Sequence, residues 1–265
     1  MTDCAQDYQF SSLNFYRENH GQQLYYNWSG KIWWVPEPGA DSTLLFHIIG
    51  MNATKVLLKT DPDEGEIGYR LNRELGLYCH PETDEILTHW TNPHGEKVSV
   101  VHIANRMVQG GLKEKIITIP KGKEYIAKVT EFPLVYPHPL AKEERFRDYC
   151  PGEKFKGHEY FTSHFKRPNV TQVPPATWDR DCPWLPWMKM GFEHPARLRF
   201  ETTIQRVEQF EDLHPNLVNL IRDRVPLYEF TPEHCDEANM TSLTYFKQHF
   251  TDYQQGKSFP RPEAP

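Results

Sequence analysis

IGYRLNRELGLYCHPETDEILTHWTNPHGEKVSVVHIANRM, residues 67–107, is the stretch on which the fold turns. Apolar and polar residues alternate along it with the period of two expected of a half-buried strand. The alternation breaks twice, at His80-Pro81-Glu82-Thr83-Asp84 and at Asn92-Pro93-His94-Gly95. Both clusters hold residues that pre-set or tolerate turn geometry. The stretch predicts an antiparallel meander of 67–79, 85–92 and 96–107 as consecutive neighbours. If the first loop is Pro81 to Asp84, His80 faces Glu85; if the second is Asn92 to Gly95, Thr91 faces Glu96. One face then carries Leu75, Leu77, Cys79, Ile86, Val101 and Ile103. The other carries Glu74, Tyr78, Leu87, His89, Val98, Val100 and His102. A slip of one residue in either turn exchanges the faces of one strand.

Outward from this stretch the chain stays extended. Leu24 to Val35 predicts two aromatic-rich strands around Ser29-Gly30, and Leu44 to Met51 a further one. More strands are expected over 124–135, ending at Pro133, and over 158–166 and 197–204. Residues 8–20 suit a short helix with Phe10, Leu13 and Tyr16 on one side. Pro215 suits a first helical position, with Leu217, Leu220 and Ile221 on one face of 215–224. Met240, Leu243, Phe246, Phe250 and Tyr253 then recur at helical spacing. The 22 scattered prolines disfavour long helices. The expected fold is mainly β, an antiparallel barrel or strongly curved sheet of lipocalin or calycin type with short terminal helices. It forms a single domain, 1–265, with 233–265 as a helical C-terminal extension.

A chain of 265 residues buries about three quarters of its unfolded surface, so it needs neither disulfides nor a structural metal. Net charge is −6 and no Lys/Arg run exceeds two residues, which disfavours a nucleic-acid partner. The N-terminus lacks the basic and apolar regions of a signal peptide, and no window approaches a membrane span. The five cysteines are spread out with no C-x-x-C pair. The expectation is a cytoplasmic protein with neither a nucleic-acid nor a membrane partner; homo-oligomerisation stays open.

The second meander face bears the groups a proton-transfer site needs. Glu74, His89 and His102 are the candidate acid/base residues, with Tyr78 beside them. Burial would raise the pKa of Glu74, and a neighbouring carboxylate would orient an imidazole. The competing reading is an ordinary solvent face. Thirteen histidines include no H-x-H, H-x-x-H or H-E-x-x-H, and no G-x-G-x-x-G, P-loop or nucleophile elbow is present, so neither metal nor cofactor is expected. Aromatic residues make up 13% of the chain, enough to line a pocket as well as fill a core. In Cys182-Pro183-Trp184-Leu185-Pro186-Trp187-Met188-Lys189-Met190-Gly191, two prolines forbid a regular helix. Its Trp and Met side chains must therefore cover something, either one end of the core or a ligand pocket.

Several blocks together resemble the domain of unknown function family 1838, known from bacterial and fungal proteins. They are Tyr26-x-Trp28-x-Gly30-x-x-Trp33, Phe46 with Gly50-Met51-Asn52, His80-Pro81-Glu82-Thr83 and Trp90-x-Asn92-Pro93. They continue with Val100-Val101-His102-x-x-Asn105, Tyr136-Pro137-x-Pro139-Leu140, the Trp block at 183–191 and Phe210-Glu211-Asp212-Leu213. The resemblance runs over about 20–232, and the segment after 233 reads as an addition to it. It implies one shared scaffold and draws attention to His102, Asn105 and the Trp block without giving any of them a role.

The leading expectation is a cofactor-independent enzyme of specialised metabolism that cyclises, isomerises or dehydrates an apolar small molecule. His102, Glu74 and His89 would act as acid/base groups, and Tyr78, Asn105, Tyr136, Trp184 and Trp187 would contact the substrate. The alternative is a lipocalin-like binding protein with the same pocket and no chemistry.

Overall fold

The computed structural model describes residues 6–37, 39–167, 176–192 and 196–262. The strands are β1 (Tyr8–Ser11), β2 (Gln23–Val35), β3 (Thr43–Asp61), β4 (Gly65–Cys79), β5 (His89–Thr91) and β6 (Lys97–Ser99). They continue with β7 (Ile103–Leu112), β8 (Ile116–Ile119), β9 (Tyr125–Pro137), β10 (Lys154–Lys166), β11 (Ala176–Cys182) and β12 (Arg197–Val207). The helices are α1 (Ser12–Glu18), α2 (Pro215–Arg224), α3 (Ser242–Gln248) and α4 (Phe250–Gln254). Eight strands form one antiparallel sheet in the order β7-β4-β3-β2-β12-β11-β10-β9, curled into a half-barrel. The expected strongly curved β-sheet is thus present, and β7 and β9 are its two edges rather than a closing pair.

The turns explain the long strands. Between β3 and β4, the Asp61 carboxylate accepts from the backbone N–H groups of Asp63 and Glu64, and Gly65 takes the left-handed conformation that completes the turn. β2 is one strand, not two around Ser29-Gly30. A Cβ at Gly30 would lie 2.0 Å from the Glu201 carbonyl of β12, so the glycine permits close pairing there instead of a turn. Pro133 lies inside β9, which an edge strand tolerates. Residues 8–11 form strand β1 against β8, and the helix expected over 8–20 begins only after Ser11, whose side chain accepts from Leu13 N–H.

The meander requires correction. Its first turn forms as expected, with His80 N–H donating to Glu85, but 89–91 pairs only with 97–99 in a separate small sheet. The neighbour of β4 is β7, with Glu74 opposite Asn105. Two side chains cause the departure. Asn92 accepts from the backbone N–H groups of His94 and Glu96, so the second loop is one residue longer and Thr91 faces Lys97. His102 meanwhile accepts the Tyr78 N–H at 3.1 Å, the donor that a neighbouring strand would have used.

Register assigns the two faces. Tyr26, Trp28, Ile48, Asn52, Glu74, Tyr78, Phe200 and Arg180 share one face. Leu71, Leu75, Leu77, Met51 and Tyr25 lie on the other, where α2 packs on β3 and the short turn Pro226–Glu229 packs on β4. α2 forms as its sequence predicts, with Pro215 in its first turn and Leu217 and Ile221 buried. The C-terminal stripe is confirmed too: Met240, Leu243, Phe246, Phe250 and Tyr253 are all buried, in two short helices and the bridge before them.

Candidate functional site in the half-barrel trough

In a flat sheet β4 and β11, four strand spacings apart, would be separated by about 19 Å. Yet Arg180 on β11 acts electrostatically on both Glu74 and Tyr78 of β4. The face carrying these residues is therefore the concave one. Its floor is Trp28, whose indole lies across two glycines; a Cβ at Gly50 would fall 2.0 Å from the ring and one at Gly76 2.5 Å. Trp178 meets Trp28 edge-on with centroids 5.9 Å apart. The Trp block closes one end. Trp187 packs on Tyr78, Phe46 and Trp90, and Trp184 on Trp34 and Trp90. Tyr253 O–H donates to the Trp187 carbonyl, and the Asn92 amide donates to that of Met188. At the other end Tyr16 of α1 lies over Gly68, and Phe10 of β1 over Phe165. Along β9 the trough is open, with Phe132 43% and Tyr136 36% exposed.

Two polar groupings sit within these aromatic walls. In the first, the Asn105 amide donates to Glu74 Oε2 at 2.6 Å, and Ser242 Oγ donates to Asn105 Oδ1 at 2.9 Å. Burial raises the Glu74 pKa above the usual carboxylate range, the Asn105 hydrogen bond opposing it. In the second, Arg180 lies 3.7 Å from Glu159 and beside Cys182, Tyr78 and Tyr136. Burial also pushes the Tyr78 phenol and the Cys182 thiol upward, so both keep their protons at neutral pH. Among the described residues no three His, Cys, Asp or Glu side chains are gathered as a metal site.

The surface expected to join Glu74, His89 and His102 is not formed. His89 is exposed on the small β5–β6 sheet, because that hairpin left the main sheet. His102 is 1% exposed, its ring stacked on that of Tyr78 with centroids 5.9 Å apart. Its ring spans two segments: Nδ1 accepts from Tyr78 N–H, and its other nitrogen bonds the Leu87 backbone carbonyl. Leu87 N–H donates directly to the Tyr78 carbonyl, so the imidazole replaces the second bond of an antiparallel pair. Burial lowers its pKa to about 3. Of the expected contact residues, Tyr78 and Asn105 lie in the trough, Tyr136 stands at its open rim stacked on Phe155, and Trp187 reaches it from the lid. Trp184 lies behind Trp187's cluster, 1% exposed. Arg180, Glu159 and Cys182 were missed. The alternation of Trp178, Arg180 and Cys182 along β11 was a usable signal for their common face, but Glu159 joins it only through the β10–β11 register. A shallow depression of about 360 Å³, lined by Tyr160, Asp179, Arg180, Asp181, Arg199 and Glu201, lies mainly on the convex face and meets the trough at Arg180.

Fold and site define a half-barrel protein with a half-buried acid group in an aromatic trough. The chain belongs to the family described as protein of unknown function (DUF1838), whose model matches residues 21–250. The family pattern thus extends past 233 and includes α3. No curated protein and no solved structure matches the chain significantly.

Proposed function

We propose that the trough binds a small, largely apolar molecule and moves a proton on it, in a cyclisation, isomerisation or dehydration, with Glu74 as the acid/base group. The observation that carries this reading is the Glu74 carboxyl, raised in pKa by burial and aimed by Asn105. A carboxyl tuned upward is better matched to proton transfer near neutral pH than an ordinary one. The aromatic walls would exclude water and hold the substrate in one conformation. One observation favours the alternative of binding without chemistry: Tyr78 and Cys182 both hold their protons at neutral pH, leaving Glu74 without a second group of matched pKa.

5-Nitrobenzisoxazole, a flat apolar probe, tests the reading. A base that removes its C3 proton sends the C–H electrons into a nitrile, breaks the N–O bond and releases a phenolate. The expected rate rises with pH as Glu74 ionises, with a midpoint above that of an ordinary carboxylate, and falls about 10²–10⁴-fold in Glu74→Gln. An equal rate in that variant overturns the assignment. Binding of the probe with no turnover in the unmodified protein leaves the carrier reading.

A further inference from the structure

We infer that Arg180 anchors a carboxylate on the ligand, so that the trough selects small aromatic or alkyl carboxylic acids over their neutral analogues. The inference rests on the reading of the trough as a ligand site and adds the class of molecule it takes. Three features of Arg180 support it. First, its guanidinium is flanked by rings from both neighbouring strands, Phe155 of β10 at 5.3 Å and Phe200 of β12 at 5.8 Å. Rings on its flanks hold the guanidinium plane and leave its edge as the side that can bond. Second, its anionic neighbour engages it loosely. Glu159 stands 3.7 Å from one terminal nitrogen, beyond hydrogen-bond length, and Nε has no partner. Third, the pair remains reachable, with side chains 19% and 20% exposed, whereas Nε itself is sealed. The terminal nitrogens, one of them bonded to the Cys182 side chain, are therefore the atoms that can meet a partner.

A guanidinium with a fixed plane, whose terminal donors meet only a thiol and a distant carboxylate, matches the two oxygens of a carboxylate in a bidentate arrangement. The aromatic neighbours Trp178 and Phe161 would take the apolar remainder of the ligand. The carboxylates near Arg180 are Glu159 and Glu74, and both oppose an incoming anion. Glu74 opposes it least, since burial favours its neutral form. Glu159 is the true competitor, which makes it informative.

The test compares 2-naphthoate with 2-acetylnaphthalene, its neutral near-isostere, by titration of tryptophan fluorescence and by calorimetry. The unmodified protein is expected to bind 2-naphthoate at least about 10-fold more tightly, the scale of charge-assisted hydrogen bonds. Arg180→Gln should abolish that preference and leave 2-acetylnaphthalene binding within a few-fold. Glu159→Gln, which removes the competing carboxylate and keeps Arg180, should tighten 2-naphthoate several-fold. It also carries the test if Arg180→Gln fails to fold. Equal binding of the two probes, or tighter binding of neither in Glu159→Gln, overturns the carboxylate anchor and leaves the trough reading intact. If neither probe binds the unmodified protein, both readings fall.

Discussion

The His102 ring holds a place that a strand would otherwise fill. Removing it in His102→Ala would strand the Tyr78 N–H and the Leu87 carbonyl in a buried setting, at a cost of about 1–3 kcal/mol for each unsatisfied group. Urea unfolding at pH 7 should show that loss; an unchanged midpoint would mean the two bonds contribute nothing. The same ring sets a pH dependence. Its folded pKa, about 3, lies below the unfolded value of about 6.5, so the stability it gives is complete above pH 6.5 and drains away as pH falls toward 3. His138, buried and lowered to about 4, acts in the same direction. Each contributes a slope of up to about 1.4 kcal/mol per pH unit. The melting temperature should therefore drop steeply below pH 6, and less steeply in His102→Ala. Glu74 has the opposite sign: its raised pKa costs stability as pH climbs above the usual carboxylate value, so Glu74→Gln should melt higher than the unmodified protein at pH 8. Residue identity alone made Glu74 and Tyr78 legible as a pair on one face. It could not show that His102, one residue before β7, would turn its ring in under β4.

At the level of strands, two glycines and a tryptophan set the floor of the trough. Gly50 of β3 and Gly76 of β4 are paired across the ladder, and both leave room for the Trp28 indole. A methyl group at position 50 has no space, since the obstruction is the body of a buried ring rather than a flexible tip. Gly50→Ala is expected to cost about 1–3 kcal/mol, as overpacked cores do, and to move Trp28 against Trp178. A lower urea midpoint with an unchanged slope, together with a shift in tryptophan emission, would register this. No change in either would show that the indole can leave its slot freely. The alternation of the flanking strands was plain in the sequence. The glycines were not, because a glycine in a strand signals a turn, a bulge or a close approach alike until the opposing ring is known.

Across the whole molecule, the C-terminal third covers the convex side and braces the lid. Phe146 and Tyr149, from the loop joining β9 to β10, pack on Phe246 and Phe250, and Met240 bridges to Arg106 of β7. Deleting residues 233–265 would strip at least Met240, Leu243, Phe246 and Phe250 from the core. At about 1.5–3 kcal/mol for each buried side chain, that approaches or exceeds the stability of a typical domain. The shortened chain should lose its near-ultraviolet circular dichroism and aggregate; a cooperatively folding fragment would make 233–265 a dispensable extension. Composition, period-two alternation and turn chemistry, acting locally, were enough to determine a mainly β fold, the helix at 215–224, the buried C-terminal stripe and the family blocks. Tertiary structure alone decided which strand follows β4, because a side chain from outside the ladder competes with it for a backbone N–H. It also decided the surroundings of Glu74: Asn105, itself held by Ser242 of α3, reaches it from β7, and Arg180 and Glu159 come near only because the sheet curls. Sequence spacing carries no record of that curvature, which brings together side chains on strands four places apart in the sheet.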